Sequence, residues 1–422
     1  MDIVSRVTEN FDTLVNKSKD LAKEIFVKQL EKIDLDIYTI IDRKRFHIIR
    51  IDSRTILTTI GIITFKRRYY YDEIEENHVY LLDNQLQLPK NIRMSNELII
   101  KIMNLASTMT YSEVGRSLSN EFVLSKFTIW KTIRDTNIEL INPPKIDIGN
   151  NRVHVQIDEK YVNINPSKKR NEKHESKNKK RYLTATIFAG KEDVGNKGKK
   201  RLLNKTYISC CSLKSLKHQI NIYLQDRYHL DYRNKIYLSG DLANYIQSFH
   251  NDIEICKAIY VPDKFHVIRD LRKIVGEEFN EKWLYDAEKL VHIVEKLKSS
   301  DHRDANKLRN LILKNPGIFL TYKDKKYLGC SQEGQNSHVY APRFGKYANR
   351  FLKETIEKLA LIREAIATDS DIKISYKNRE LPKKKEIREV VFDFSEKMKF
   401  DIDLSNMSYG MAQSFKNIMF GR

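Results

Sequence analysis

The chain has 422 residues, 41% of them hydrophobic, enough to bury two or three domain cores and too many for a disordered polymer. Its formal net charge of +20, from 76 Lys and Arg against 56 Asp and Glu, favours a polyanionic partner, above all nucleic acid. No run of 18 apolar residues and no signal peptide is present, so no membrane partner is expected, and the expected location is cytoplasmic and nucleoid-associated. Cys210, Cys211, Cys256 and Cys330 form no CxxC pair, which argues against a zinc ribbon or a disulfide scaffold.

Apolar residues recur at helical spacing from Ile3 to Leu30, predicting an amphipathic helix or helix pair over residues 1 to about 35. Two β runs follow, Phe46 to Ile51 and Thr55 to Phe65, with Gly61 as a bulge or bend. Lys66-Arg67-Arg68-Tyr69-Tyr70-Tyr71 suits either phosphate and base contact or ordinary cross-strand aromatic pairing. From Ser95 the pattern is helical. Three segments are expected, at 98–106, 110–118 and 125–134, with Ser and Thr caps, and their short connections read as a helix-turn-helix. A helical wheel puts Phe127, Trp130 and Ile133 inside. Thr128, Lys131 and Thr132 then face out, and with Lys126 they are the candidate DNA contacts. Pro143-Pro144 marks a linker.

The run from Val153 to Asn163 alternates apolar and polar residues and predicts a β-strand. Asp158 sits inside it, where carboxylates are depleted, and a carboxylate there suits metal binding. A second acid, Asp241, ends the apolar strand from Ile236, and Glu333 opens a late helical segment. Strands at 182–189 and 207–211, a helix at 215–229, and strands at 235–241 and 253–261 fill the interval. That order predicts an α/β fold with an RNase H-like catalytic core. The basic run Lys168, Lys169, Arg170, then Lys179, Lys180 and Arg181, is placed to grip a phosphate backbone. Asp263 and His266 share one face of a helix start and, with His338, are further candidate active-site residues.

The expected organisation is therefore an N-terminal helix plus β region (1–94), a helix-turn-helix DNA-binding region (95–140) and an RNase H-like catalytic domain (150–367). A helical insertion is expected at about 280–315 within that domain, with a C-terminal tail region at 368–422.

Together, Thr64 to Tyr70, Leu81-Leu82-Asp83, Thr110 to Leu118, Ile157-Asp158, Gly240-Asp241, Asp263 to His266, Glu333-Gly334 and Ser337-His338 carry a family resemblance. The chain resembles the DDE transposases of ISLre-type insertion sequences, distant relatives of the Mutator-like elements, from about Arg54 to Glu364. The resemblance implies that Asp158, Asp241 and Glu333 are catalytic and hold Mg²⁺ or Mn²⁺, with Glu354, Glu357 and Glu364 as fallback choices for the third position. Hard divalent ions take oxygen ligands, which suits this set. The implied partners are double-stranded DNA, meaning element terminal inverted repeats and target DNA, and a homodimer or higher assembly on it. Alternatives are a decayed transposase that only binds DNA, or another RNase H-like nuclease.

Overall fold

The computed structural model describes residues 3–141, 143–164, 179–195, 200–345 and 351–376. They divide into two units, residues 3–137 with 374–376, and residues 138–373.

In the first unit the amphipathic pattern forms one long helix, α1 (Ile3–Ile40). Its Leu30 and Ile37 pack with Ile56, Ile63, Phe65 and Tyr70 of a hairpin, β1 (Phe46–Thr58) and β2 (Gly61–Asp72). The hairpin turns at Gly61, whose φ of 120° suits glycine, and β1 runs unbroken through the polar Asp52-Ser53-Arg54. Those polar residues stay in the strand because they have partners. Arg54 is buried against Asp83 and donates to the carbonyls of Pro89 and Ile92 at 3.1 and 2.9 Å. Tyr80 donates to Asp52 at 2.6 Å. A short strand, β3 (Asn77–Val79), completes the sheet, and α2 (Leu81–Gln85) follows. The Arg and Tyr run on β2 serves this sheet: Tyr69 stacks on His78 and Arg67 lies 3.6 Å over the Tyr80 ring.

The three expected helices are α3 (Asn96–Ala106), α4 (Tyr111–Ser117) and α5 (Lys126–Asp135). Ser95, Thr110 and Ser125 cap them, Thr110 in a reciprocal box with Glu113. On α5 the wheel is rotated from expectation. Ile129 and Ile133 are buried, whereas Phe127 is 62% exposed. The strand β4 (Thr136–Leu140) follows α5.

The second unit is built on a mixed five-stranded sheet. Its strands are β5 (Val153–Asn163), β6 (Lys179–Phe188), β9 (Thr206–Cys210), β10 (Lys235–Gly240) and β11 (Lys257–Pro262), in the order β11-β10-β5-β6-β9. On one side β6 is antiparallel to β5 and β9 antiparallel to β6; on the other β10 and β11 run parallel to β5. A small ribbon, β7 (Gly190–Asp193) with β8 (Lys200–Leu203), links β6 to β9. The crossover from β9 to β10 is α6 (Leu213–Arg227), and α7 (Asn244–Phe249) precedes β11. Val153, Val155 and Ile157 of β5 share a core with Leu216, Ile220 and Leu224 of α6.

Helices α8 (Lys264–Val275), α9 (Ala287–Lys298) and α10 (Ala305–Lys314) follow. The sequence suggests a polar insertion at about 280–315; Ile293, Leu297 and Leu308 of that stretch belong to the same continuous core as the sheet. Their polar residues lie outside an apolar stripe, so average polarity conceals the packing. The chain then returns across the other face of the sheet through α11 (Gln332–Val339), α12 (Ala341–Phe344) and α13 (Lys353–Thr368). The last strand, β12 (Ile372–Tyr376), pairs with β4 as a separate ribbon. No helix among the described residues is long and apolar enough to cross a membrane.

Candidate active site at the ends of the parallel strands

Alternation along β5 splits its side chains between two environments. Val155 and Ile157 point into the apolar core, so His154, Gln156 and Asp158 point to the opposite face. That face is buried yet polar: His154, Gln156, Thr184, Thr186 and Ser239 are fully enclosed. Burial of such groups is tolerated when their hydrogen bonds are met. The segment from Lys326 to Asn336 meets many of them. Gln156 Nε2 donates to the Gly329 carbonyl at 2.7 Å, and its Oε1 accepts from the Ser331 N–H at 2.9 Å. A ring nitrogen of His154 lies 3.2 Å from the Lys326 carbonyl, and burial pushes this imidazole down to about 4, leaving it neutral.

This network ends on Asp158. Thr184 donates to Asn336 Oδ1 at 2.8 Å, and Gln332 Nε2 lies 3.2 Å from the Thr184 hydroxyl. With its oxygen so engaged, Asn336 turns its amide nitrogen to Asp158 Oδ2 at 2.8 Å. Asp158 Oδ1 accepts from the Glu159 N–H at 2.7 Å.

Register brings the second acid alongside. Ile157 pairs with Gly240 in the parallel ladder, and Gly240 pairs with Pro262 on its other side. Asp158 comes next within β5, and Asp241 and Asp263 directly follow the ends of β10 and β11. Gly240 makes the approach possible, since a Cβ there would lie 2.5 Å from the Ile157 carbonyl oxygen. Burial raises the pKa of Asp158, and the nearby Asp241 raises it further; the Glu159 N–H, the Asn336 amide and the His266 imidazole oppose the rise. Asp241 Oδ1 accepts from the Ala243 N–H at 2.9 Å. Asp263 caps α8, accepting from the Phe265 N–H at 2.9 Å, and stands 3.6 Å from His266 Nδ1. His266 faces the carboxylates from the first turn of that helix.

The remaining candidates distribute differently. Glu333 is exposed on α11, one turn before Asn336, and its charge acts on Arg269, one turn beyond His266. His338 is exposed further along α11. Glu354 and Glu357 are exposed on α13. Glu364 is buried, accepts from Ser209 and from Tyr340 (2.8 Å), and is pushed up to about 8 by burial, so it stays protonated at neutral pH. Among the described residues no group of three or more His, Cys, Asp or Glu is disposed to hold a metal ion.

Of the candidate DNA contacts, Lys126 and Lys131 are exposed on α5, and Thr128 and Thr132 are half-buried. Arg181 reaches Glu159 at 3.5 Å and covers the Tyr245 ring at 5.0 Å. Lys179 and Lys180 are placed on β6 by backbone alone, and Lys168, Lys169 and Arg170 lie outside the described residues. Sequence reasoning missed Asn336, Gln332 and Thr184. The available signal was Gln332 and Asn336 at i and i+4, a polar stripe on a helix covering a β-strand with alternate polar residues.

Several curated relatives match the chain. A UPF0236 protein of Caldanaerobacter subterraneus subsp. tengcongensis is 24% identical over 386 residues, covering 86% of this chain and 80% of its own. Another protein of that organism, whose name spans eleven loci, is 24% identical over 411 residues, covering 92% and 84%. A Streptococcus gallolyticus UPF0236 protein in the vanSb 3′ region is 24% identical over 288 residues, covering 65% and 61%. Among solved structures, the Drosophila P element transposase strand transfer complex aligns at 12% identity with a TM-score of 0.27. It covers 78% of this chain and 91% of that one. An overlap that loose fixes neither fold nor function. The model of the uncharacterised protein family UPF0236 matches residues 4–372, and the chain belongs to that family.

Proposed function

We propose that the chain is a DDE-type DNA transposase of the ISLre kind. It would bind the ends of its insertion sequence as double-stranded DNA, as a homodimer or higher assembly, and catalyse metal-dependent strand cleavage and transfer. One observation carries the reading: Asp158 and Asp241 follow directly on paired residues of adjacent parallel strands, and burial together with the neighbouring Asp241 raises the pKa of Asp158. Two acids kept together at the end of a parallel ladder are disfavoured unless a cation or a reaction uses them. A central first strand extended on one side by two successive antiparallel pairings and on the other by two parallel ones supports an RNase H-like core. Three short capped helices support a helix-turn-helix, and the charge of +20 supports a DNA partner. A relative's name spread over eleven loci fits a mobile element.

By donor type, Asp158 and Asp241 fit Mg²⁺ or Mn²⁺, and Glu333 is the proposed third ligand. Such an ion, when bound, would polarise the scissile phosphate and make water or a DNA 3′-hydroxyl a stronger nucleophile. The protein's own contribution is orientation. Asn336 and the Glu159 N–H hold the two oxygens of Asp158, and Gly240 keeps the strands close enough for Asp241 to stand beside it.

A second reading, a remnant that binds DNA without cutting it, is favoured by the exposed position of Glu333 and the lack of a three-membered ligand group among the described residues. One assay separates the two: nicking and retention of DNA flanking the gene, by the wild type and Asp158→Asn, in Mg²⁺. The transposase reading expects wild-type nicking, and retention without nicking by the variant. Retention without nicking by the wild type would replace it with the second.

A further inference from the structure

The loop between α4 and α5 holds apolar side chains in water by construction. Phe122 and Leu124 are both buried and anchor it, leaving Val123 between them 88% exposed. Gly115 lets the loop seat closely, because a Cβ there would lie 2.7 Å from the Leu124 carbonyl oxygen. Two residues past Val123, Ser125 caps α5 by accepting from the Thr128 N–H at 3.0 Å. Phe127 then projects from the first turn, while Ile129 and Ile133 take the buried side. Val123 and Phe127 thus flank a rigid helix start.

The surroundings of these residues indicate what covers them. Lys126 and Lys131 are exposed, and neither has an acidic partner among the described residues. Arg134 lies 4.6 Å over the Trp130 ring, whose centroid is 5.4 Å from that of Phe127. Arg134 is paired with Asp135, but an apolar protein partner would leave Lys126 and Lys131 poorly matched, whereas DNA offers phosphates to them and a base stack to the apolar tips. The hydroxyls expected to read bases are engaged locally: Thr128 Oγ1 is 2.9 Å from Ser125 Oγ, and Thr132 donates to the Thr128 carbonyl at 2.9 Å.

We infer that Val123 and Phe127 form an apolar wedge that enters duplex DNA and unstacks a base step, with Lys126 and Lys131 on the flanking phosphates. This rests on the DNA reading above and deepens it: the helix deforms its site instead of only reading base edges. Deformable steps, such as TA or CA, are the expected wedge positions.

The protein has two tryptophans, so Trp283→Phe leaves Trp130 as the sole indole. Full-length Trp283→Phe is titrated with duplexes carrying 2-aminopurine at successive positions, made from DNA flanking the gene and from a shuffled sequence. Anisotropy follows binding. Expected are a bright 2-aminopurine at one step, quenched Trp130 emission, and loss of both in Phe127→Ala with about tenfold weaker binding. Val123→Ala should reduce the 2-aminopurine signal in part. Lys126→Ala should leave the brightening and lower the slope of log K on log salt by about 0.9. Binding without brightening or quenching overturns the wedge and leaves the DNA reading standing. Absence of binding to any duplex at low salt overturns both. Loss of self-association in Phe127→Ala, with DNA signals unchanged, assigns the face to a second copy and overturns the wedge.

Discussion

The two faces of the five-stranded sheet solve burial in opposite ways. On one, Val155, Ile157, Leu238 and the α6 residues Leu216 and Ile220 exclude water by apolar packing. On the other, Gln156, Thr184 and Asn336 are enclosed to a similar degree and held by directed hydrogen bonds. Apolar packing tolerates exchange of one side chain for another of similar volume, whereas a polar network depends on each partner. The face that holds Asp158 is the one with little freedom to rearrange.

Breaking the apolar face should cost most. Leu238→Ala removes a fully buried side chain and should destabilise the second unit by about 2–5 kcal/mol, read from denaturant midpoints. A loss below 1 kcal/mol would mean the core is looser than its burial implies.

The next effect depends on pH. Glu364, among the polar contacts of α13, is raised to about 8 from an ordinary value near 4.5. The folded state therefore holds a proton that the unfolded state has released. Stability falls as pH rises from about 4.5 and levels off above 8, by at most about 5 kcal/mol in all. Glu364→Gln keeps an acceptor for Ser209 and Tyr340 and should flatten that pH profile, gaining most at pH 8. Parallel profiles for the two proteins would contradict the burial of a protonated carboxyl.

A smaller effect is expected at Gln156. Gln156→Leu leaves the Ser331 N–H and Gly329 carbonyl without this partner and should cost about 1–3 kcal/mol despite adding apolar surface. Smallest is the coupling within the network. A double-mutant cycle of Thr184→Val and Asn336→Ala should give about 0.5–1.5 kcal/mol, and a zero coupling would place the two residues in independent contacts.

The same contrast explains what the sequence made legible. The strands of the second unit were readable because β-branched and apolar runs bounded by turns mark half-buried strands, and Asp158 and Asp241 stood out as acids at strand positions. The polar face was not, because hydrogen-bond partners such as Gln156 and Ser331 lie far apart in the chain and leave no periodic trace. Two further misreadings have the same origin. Arg54 of the unbroken β1 meets Asp83, and Leu124 seats against Gly115 three residues before the exposed Phe127. Both are tertiary contacts that override a local pattern.

The proposed function requires Asp158 and Asp241 to act as one unit. Its most direct test is single-turnover nicking of bound flanking DNA in Mg²⁺ by Asp158→Asn, Asp241→Asn and the double variant. Both single variants should lose nicking while retaining DNA. The double variant should be no worse than either, because a unit missing one member is already inactive. Near-normal nicking by either single variant, or losses that multiply in the double, would contradict it.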